Sequence, residues 1–447
     1  MKKLFIIICF TFLSISVTYC STVVPSVISA NQTWNAAGSP YLISQNSAIL
    51  SGANVTVLPG VEIQGGFNIT LTIHGGFVCL GKVDSMITIN QVLLAFQPTS
   101  PDYNPSNGSG NRIIFTRFSP LTGSAGCISS LRNNLLIDHC FFDGFLYCVN
   151  AADDSIKLWI KNSRFRGGKD ITHPIYKLTK NSVLEFTGNT VEGAHDLWLA
   201  EKNTVSNNYF TGGSNAYGIN VLVTTVAAEI SCNNFKNTYY GIYAANLSSS
   251  VKTINIHNNN FDSCKYTLDI GTGWNVQDSV KFHNNNLRNY TKSVFAVSGG
   301  GSGSFTWFNM SSNYWGTTDT SVIISGIYDN RSSAIVTIRV NFSKILTAPV
   351  TPCWPEKGST LFAKQDFEKS LFLLYPNPAR DICNISVRDN GVYSIIITDF
   401  YGKVFSQKSF SGNQYQINLQ NLTNGSYLIF LTDKNGQRIG KQLCIQN

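Results

Sequence analysis

Ile230-Ser231-Cys232-Asn233-Asn234-Phe235 recurs as Ile256-His257-Asn258-Asn259-Asn260-Phe261 and again as Phe282-His283-Asn284-Asn285-Asn286-Leu287. Outward from these copies, the closing apolar residue has equivalents at Phe118, Phe142, Phe165, Val191, Phe210, Phe235, Phe261, Leu287 and Trp315. The steps between them are 24, 23, 26, 19, 25, 26, 26 and 28 residues. Five residues before each anchor stands a second apolar residue: Ile113, Ile137, Ile160, Phe186, Val205, Ile230, Ile256, Phe282 and Met310. Two residues before it stands a small polar one: Thr116, Cys140 and Ser163, then Asn189, Asn208, Asn233, Asn259, Asn285 and Asn313. A repeat near 25 residues with strand alternation is one coil of a parallel β-helix, in which each coil hydrogen-bonds to the next and sends alternate side chains into a shared core. The recurring Asn is expected at a tight bend, where it tolerates left-handed backbone and stacks on its copies in neighbouring coils. A leucine-rich repeat has a similar period, but its leucine signature is absent.

A second short strand follows each anchor, as in Gly218-Ile219-Asn220-Val221, Gly241-Ile242-Tyr243-Ala244, Thr267-Leu268-Asp269-Ile270 and Ser293-Val294-Phe295-Ala296. Upstream, 54–63 and 71–76 read as earlier coils with turn glycines, and the Pro/Ser/Asn/Gly-rich run from Pro98 to Gly110 as a surface loop. On these residues, roughly positions 45–345 resemble the right-handed parallel β-helix, pectin-lyase-like superfamily. The last coil, with Asn313-Tyr314-Trp315-Gly316, is similar to the terminal coil of secreted β-helix proteins of Bacteroidetes. Such a fold carries many functions and by itself implies no reaction.

The compartment is read from the first twenty residues. Lys2 and Lys3 precede an apolar run from Leu4 to Leu13, then Thr18-Tyr19-Cys20-Ser21: the order of a secretory signal peptide, too short to be a permanent anchor. Cleavage is expected near Cys20 or Ser21. Acylation of Cys20 is the alternative, against which stands bulky Tyr19 where a lipobox needs a small residue. No later stretch approaches the roughly 18 apolar residues of a membrane helix. Charged residues are only 13%, while Asn (46) and Gly (36) are abundant, a composition that favours turns over helices. The net charge of +8 is spread out, so no nucleic-acid partner is expected. Of eleven cysteines, Cys9 and Cys20 belong to the leader; Cys79, Cys140, Cys148 and Cys232 sit in apolar strand patterns and read as small buried hydrophobes. No CxxC pair occurs, so neither a metal nor a cofactor is expected.

Pro349, Pro352 and Pro355 open an extended linker over 347–370, which separates a β-helix at 21–346 from a C-terminal domain at 371–447. There, short alternating runs are punctuated by Asn390-Gly391, Tyr401-Gly402, Asn424-Gly425 and Asn435-Gly436, a pattern read as a seven-stranded Ig-like β-sandwich. The whole chain is thus all-β. Tyr375-Pro376-Asn377-Pro378-Ala379-Arg380-Asp381, Asp399-Phe400-Tyr401-Gly402-Lys403-Val404, and Leu422-Thr423-Asn424-Gly425-Ser426-Tyr427 with Gly440-Lys441-Gln442-Leu443 resemble, in order, the type IX secretion (Por system) sorting domain. The resemblance implies recognition by the type IX machinery, export across the outer membrane, removal of the domain, and a surface or extracellular destination. The alternative is an accessory Ig-like module that stays on the protein.

Catalytic signatures are sparse. Ile137-Asp138-His139 is similar to the calcium-binding signature of pectate lyases, yet fits the ordinary coil template, and that family's Arg-x-Pro-x-x-Arg is missing. Asp153-Asp154 resembles the paired aspartates of polygalacturonases without their other motifs. Asp84-Ser85-Met86, Asp154-Ser155-Ile156 and Asp278-Ser279-Val280 fit a Bacteroidetes O-glycosylation pattern, and Gly299–Gly303 is a loop rather than a phosphate cradle. No catalytic residue is assigned. If Ile219/Val221, Ile242/Ala244, Leu268/Ile270 and Val294/Ala296 point inward, then Asn220, Tyr243, Asp269 and Phe295 point out, with Tyr176 and Trp198 further back on the same face. Aromatic rings beside amide and carboxylate groups suit stacking on sugars; the alternative is a face covered by loops. The expectation is a surface-sorted, non-enzymatic β-helix that binds a polysaccharide or serves adhesion through Tyr176, Trp198, Asn220, Tyr243 and Asp269. The competing reading is a polysaccharide lyase or glycoside hydrolase on the same scaffold.

Overall fold

In the computed structural model the described residues are 21–119 (less Phe67), 126–151, 154–167, 172–176, 181–221, 227–244, 253–271, 280–298, 306–356 and 372–446, the last less 376, 400, 401, 435 and 437. The leader expected at 1–20, Asp153, Asp278-Ser279, the expected Gly299–Gly303 loop and most of the expected linker lie outside them. The chain divides into two compact units, 1–359 and 360–447.

The first unit is a parallel β-solenoid. One of its sheets stacks eleven strands from Gln32–Trp34 to Val280–His283, and a second stacks seven from Val27–Ile28 to His173–Tyr176. A third runs from Thr22–Val23 to Asn286–Arg288 and branches into the late coils. Anchors register directly on one another, Phe142 on Phe118 and Phe165, Phe235 on Phe210 and Phe261. Each anchor, and the apolar residue five before it, is at most 1% exposed. Where consecutive anchors are phenylalanines the rings lie nearly parallel, 4.8 Å apart for Phe142–Phe165 and 4.7 Å for Phe235–Phe261. The 25-residue period is therefore a stack of like rings at strand spacing, whose apolar burial supplies the main driving force.

The polar residue two before each anchor is buried in the bend and forms a ladder. The Asn233 N–H and Nδ2 donate to Asn259 Oδ1 at 2.9 and 3.0 Å, and Asn259 repeats this onto Asn285 Oδ1 at 3.0 and 3.1 Å. The chain of bonds extends from the N–H of Cys140, through Ser163 and Asn189, to Asn313. The stacking is as expected, but the left-handed conformation falls one residue earlier. Phe115, His139, Asn162, Gly188, Asn207, Cys232, Asn258, Asn284 and Ser312 all have φ between 44° and 68°. The division has a physical cause. The ladder Asn must aim both amide ends along the stack, while the residue before it turns the corner with its side chain outward, so almost any type appears there.

Cys232 occupies that corner and is not a buried free thiol. It is disulfide-bonded to Cys353, 121 residues away. Residues 347–356 run back along the solenoid instead of away from it. Val350 exchanges hydrogen bonds with the Asn286 amide, Asn234 Nδ2 donates to Pro355 O at 3.0 Å, and Trp354 is 8% exposed. Cys79, Cys140 and Cys148 are free and buried as expected.

The second unit is an antiparallel sheet of five described strands, Phe372–Tyr375, Ile382–Thr398, Val404–Asn418, Gly425–Thr432 and Arg438–Ile445. The count is five where seven were expected because two expected pairs of runs are each one strand: Val404–Asn418 runs unbroken through Gly412, and Asn390-Gly391 does not reverse the chain. It sits in an irregularity where Gly391 pairs with Gly412, and the strand continues. The quoted motifs close the fold on itself. Asn377 Oδ1 accepts the N–H of Cys444 at 2.7 Å, and its Nδ2 donates to Gln442 O at 2.8 Å. Asp399 accepts the N–H of Lys403 across a turn whose Gly402 has φ 85°.

Candidate functional site

The strands carrying the expected strip are built from a recurring tetrad: Tyr147-Cys148-Val149-Asn150, His173-Pro174-Ile175-Tyr176, Tyr217-Gly218-Ile219-Asn220, Tyr240-Gly241-Ile242-Tyr243 and Tyr266-Thr267-Leu268-Asp269. In each, the two middle residues are both buried, so strict alternation breaks and the outward residues are three apart. At Gly218 a Cβ would stand 2.7 Å from Phe235 Cδ1 and 2.5 Å from Gly241 O; at Gly241 it would stand 2.7 Å from Phe261 Cδ1. Glycine is required there because a core phenyl of the next coil fills the space. Between the second and third tetrads, Asp196-Leu197-Trp198 achieves the same with one residue fewer, and a register shift after Asp196 absorbs the difference.

The result is two adjacent rows on one face. The first holds Tyr147, His173, Asp196, Tyr217, Tyr240 and Tyr266; the second holds Asn150, Tyr176, Trp198, Asn220, Tyr243 and Asp269. The five expected residues all belong to the second row. Tyr176, Trp198 and Tyr243 are half-buried, whereas Asn220 (6% exposed) and Asp269 (3%) form the floor. Phe295 does not join them. It registers on Leu268 and is fully buried, because the strand starting at Ser293 aligns one residue later than assumed, and a one-residue slip exchanges the faces. The whole first row escaped sequence reasoning, since alternation back from Asn220 lands on Gly218 rather than Tyr217. The tetrad itself was the available signal.

The rings form two contacting groups over successive coils. Tyr176 lies 4.1 Å from Tyr147 and 4.9 Å from Trp198 between ring centroids; Tyr240 lies 4.9 Å from Tyr217, 4.8 Å from Tyr243 and 5.1 Å from Tyr266. Between these two groups sits Asp196, 7% exposed. Its Oδ2 accepts Trp198 Nε1 at 2.7 Å and Asn220 Nδ2 at 3.1 Å, while its Oδ1 is buried with no hydrogen-bond partner. Burial pushes the Asp196 carboxyl up to about 6, against the lowering effect of those two donors. His173 Nδ1 stands 3.8 Å from Asp196 Oδ2, but burial lowers its pKa and keeps the ring neutral near pH 7. Burial, then the Asp269 charge, raises the Tyr240 phenol.

These positions bear on catalysis. Glycoside hydrolysis uses two carboxyl groups about 5–9.5 Å apart. Asp196 and Asp269 are three coils apart, about 14 Å at strand spacing. Asp138 is an ordinary outward strand residue between Ile114 and Lys161, with His139 Nδ1 2.8 Å from its Oδ1. Burial raises the Asp138 carboxyl, but its bonds from His139 and Asn162 outweigh that and hold it below its usual value. A lysine in the next coil is a poor neighbour for a bound cation. Asp154 and Asp84 lie on exposed turns. Among the described residues, no group of three or more His, Cys, Asp or Glu is placed to hold a metal, and no helix is long and apolar enough to cross a membrane.

The C-terminal unit carries the clearest assignment. Residues 373–446 match the family of secretion system C-terminal sorting domains. The protein is thus a β-solenoid delivered by type IX secretion to the cell surface or the extracellular space. No curated protein matches the chain at a significant level.

Proposed function

We propose that the solenoid, brought out of the cell behind a cleavable leader at 1–20, is a non-catalytic saccharide-binding module of pectin-lyase-like architecture. Its ligand lies along the two rows that run from Tyr147 to Asp269. The observation that carries this reading is the unbroken succession of half-buried rings over a floor of amides and carboxyls on consecutive coils. Rings on alternate coils, such as Trp198 and Tyr243, lie about 10 Å apart, near the length of a disaccharide. A linear polysaccharide would stack on them and hydrogen-bond between them. Isothermal titration of the full chain with glycans selected on an array tests it. Trp198→Ala and Tyr243→Ala should each weaken binding roughly five- to thirtyfold; unchanged affinity in both removes the strip.

One observation favours hydrolysis or lyase chemistry as a second reading: a carboxyl at about 6 is suited to general acid work. Within the two rows the other carboxyl, Asp269, is three coils from Asp196, and neither row holds a Lys or Arg to neutralise a uronate; both facts weigh against it. Release of reducing ends or unsaturated products by the parent chain, abolished in Asp196→Asn, would favour the enzyme.

A further inference from the structure

We infer that the Asp196 end of this strip is a cation subsite, taking the protonated amine of an amino sugar; the inference rests on the saccharide-binding reading above. The hydrogen-bonded pair Asp196 and Asn220 leaves two acceptor oxygens without donors. Asp196 and Asn220 are each more than nine-tenths buried, and the Oδ1 of each has no hydrogen-bond partner. Of the donors nearby, Trp198 Nε1 and Asn220 Nδ2 are committed to Asp196 Oδ2, and His173 Nδ1, 3.8 Å from that same oxygen, is beyond hydrogen-bond distance. Whatever completes the site must bring donors. A hydroxyl brings one donor and its own lone pairs, whereas an ammonium brings three donors and none.

The surroundings favour positive charge. Trp198 turns its indole N–H edge to the carboxylate, and Tyr217 registers on Asp196 in the next coil, so both line the site without adding a cation. Neither row contains Lys or Arg. Lys265 and Lys292 are placed over Tyr239 and Tyr266, at the other end of the rows. A uronate placed here would meet Asp196 carboxylate to carboxylate, and an N-acetylated sugar would present a carbonyl and a single N–H.

The full-length mature chain is titrated at pH 6.5 with the hexamer of β-1,4-linked glucosamine, its fully N-acetylated counterpart, and cellohexaose. A charge-assisted bond should give the glucosamine hexamer about 10- to 100-fold tighter binding than the other two. Asp196→Asn should abolish the preference, bringing the glucosamine hexamer to the affinity that the same variant shows for cellohexaose. Asn220→Asp, which adds a second carboxyl, should widen it. Equal affinity for all three hexamers, or a preference that survives Asp196→Asn, overturns the cation subsite while leaving the strip intact. Failure of all three to bind overturns the cation subsite as well, while the array titration decides the strip separately.

Discussion

Replacing Asn259 by leucine tests the ladder at its most connected rung. The side chain is fully buried. Its Nδ2 donates to Ile230 O at 2.8 Å, His257 O at 2.9 Å and Asn285 Oδ1 at 3.1 Å, while its Oδ1 accepts both donors of Asn233. Leucine removes all five bonds, but the losses are unequal. Asn233 Nδ2 retains Val205 O at 2.8 Å, and Asn285 Oδ1 retains the backbone N–H of residue 259. The group left with nothing is the buried N–H of Asn233. An orphaned donor costs about 1–3 kcal/mol, and the weakened acceptors add about 1, so the loss is about 2–4 kcal/mol. Urea unfolding should show this as a lower midpoint at unchanged slope, with faster hydrogen exchange at the Asn233 amide. The neighbouring corner residue is the control. Asn258 has φ 54°, and Asn258→Gly should be neutral or slightly stabilising. An Asn259→Leu midpoint equal to that of the parent would refute the ladder as a stabilising device.

Stability should fall as pH rises from about 4 to about 6. Asp196 is raised from 3.8 to about 6, so within that window the folded chain holds a proton that the unfolded chain has released. The total is on the order of 1–3 kcal/mol, and Asp196→Asn should flatten the slope in urea titrations at successive pH values. Cys353→Ser should release residues 349–355 to limited proteolysis. It should also lower the global unfolding free energy by about 5 kcal/mol on the chain-entropy account of a loop over 100 residues long; identical behaviour of parent and variant without reductant would contradict this. Deletion of 371–447 should retain the protein in the periplasm of its native host, and surface display of the truncated chain, by fractionation, would contradict the sorting assignment.

Periodicity made the solenoid legible, because every coil repeats the same burial demand at Phe118, Phe142, Phe165 and onward. The Asn ladder was legible for the same reason, although spacing alone could not separate the residue that turns the corner from the one that bonds along the stack. The strip was half legible. Asn220, Tyr243 and Asp269 follow from alternation, but Tyr217, Tyr240 and Tyr266 depend on two consecutive residues facing inward, which only packing against Phe235 and Phe261 enforces. Phe295 was misplaced by a one-residue register change with no local signature. The Cys232–Cys353 link joins a corner to a proline-rich run outside the repeat, and no period reports a contact of that kind.

That link also sets how the solenoid carries mechanical load. Without it, tension on the C-terminus would peel the stack from its last coil, breaking one rung at a time. With it, force entering at Cys353 crosses the sulfur bridge to Cys232 and continues toward the N-terminus. Residues 233–352 fall outside the load path, so the coils bearing Tyr240, Tyr243, Tyr266 and Asp269 stay slack while the chain is hauled by its tail. A pulling experiment between the termini should show a contour length shorter by that segment, restored in full by a reductant.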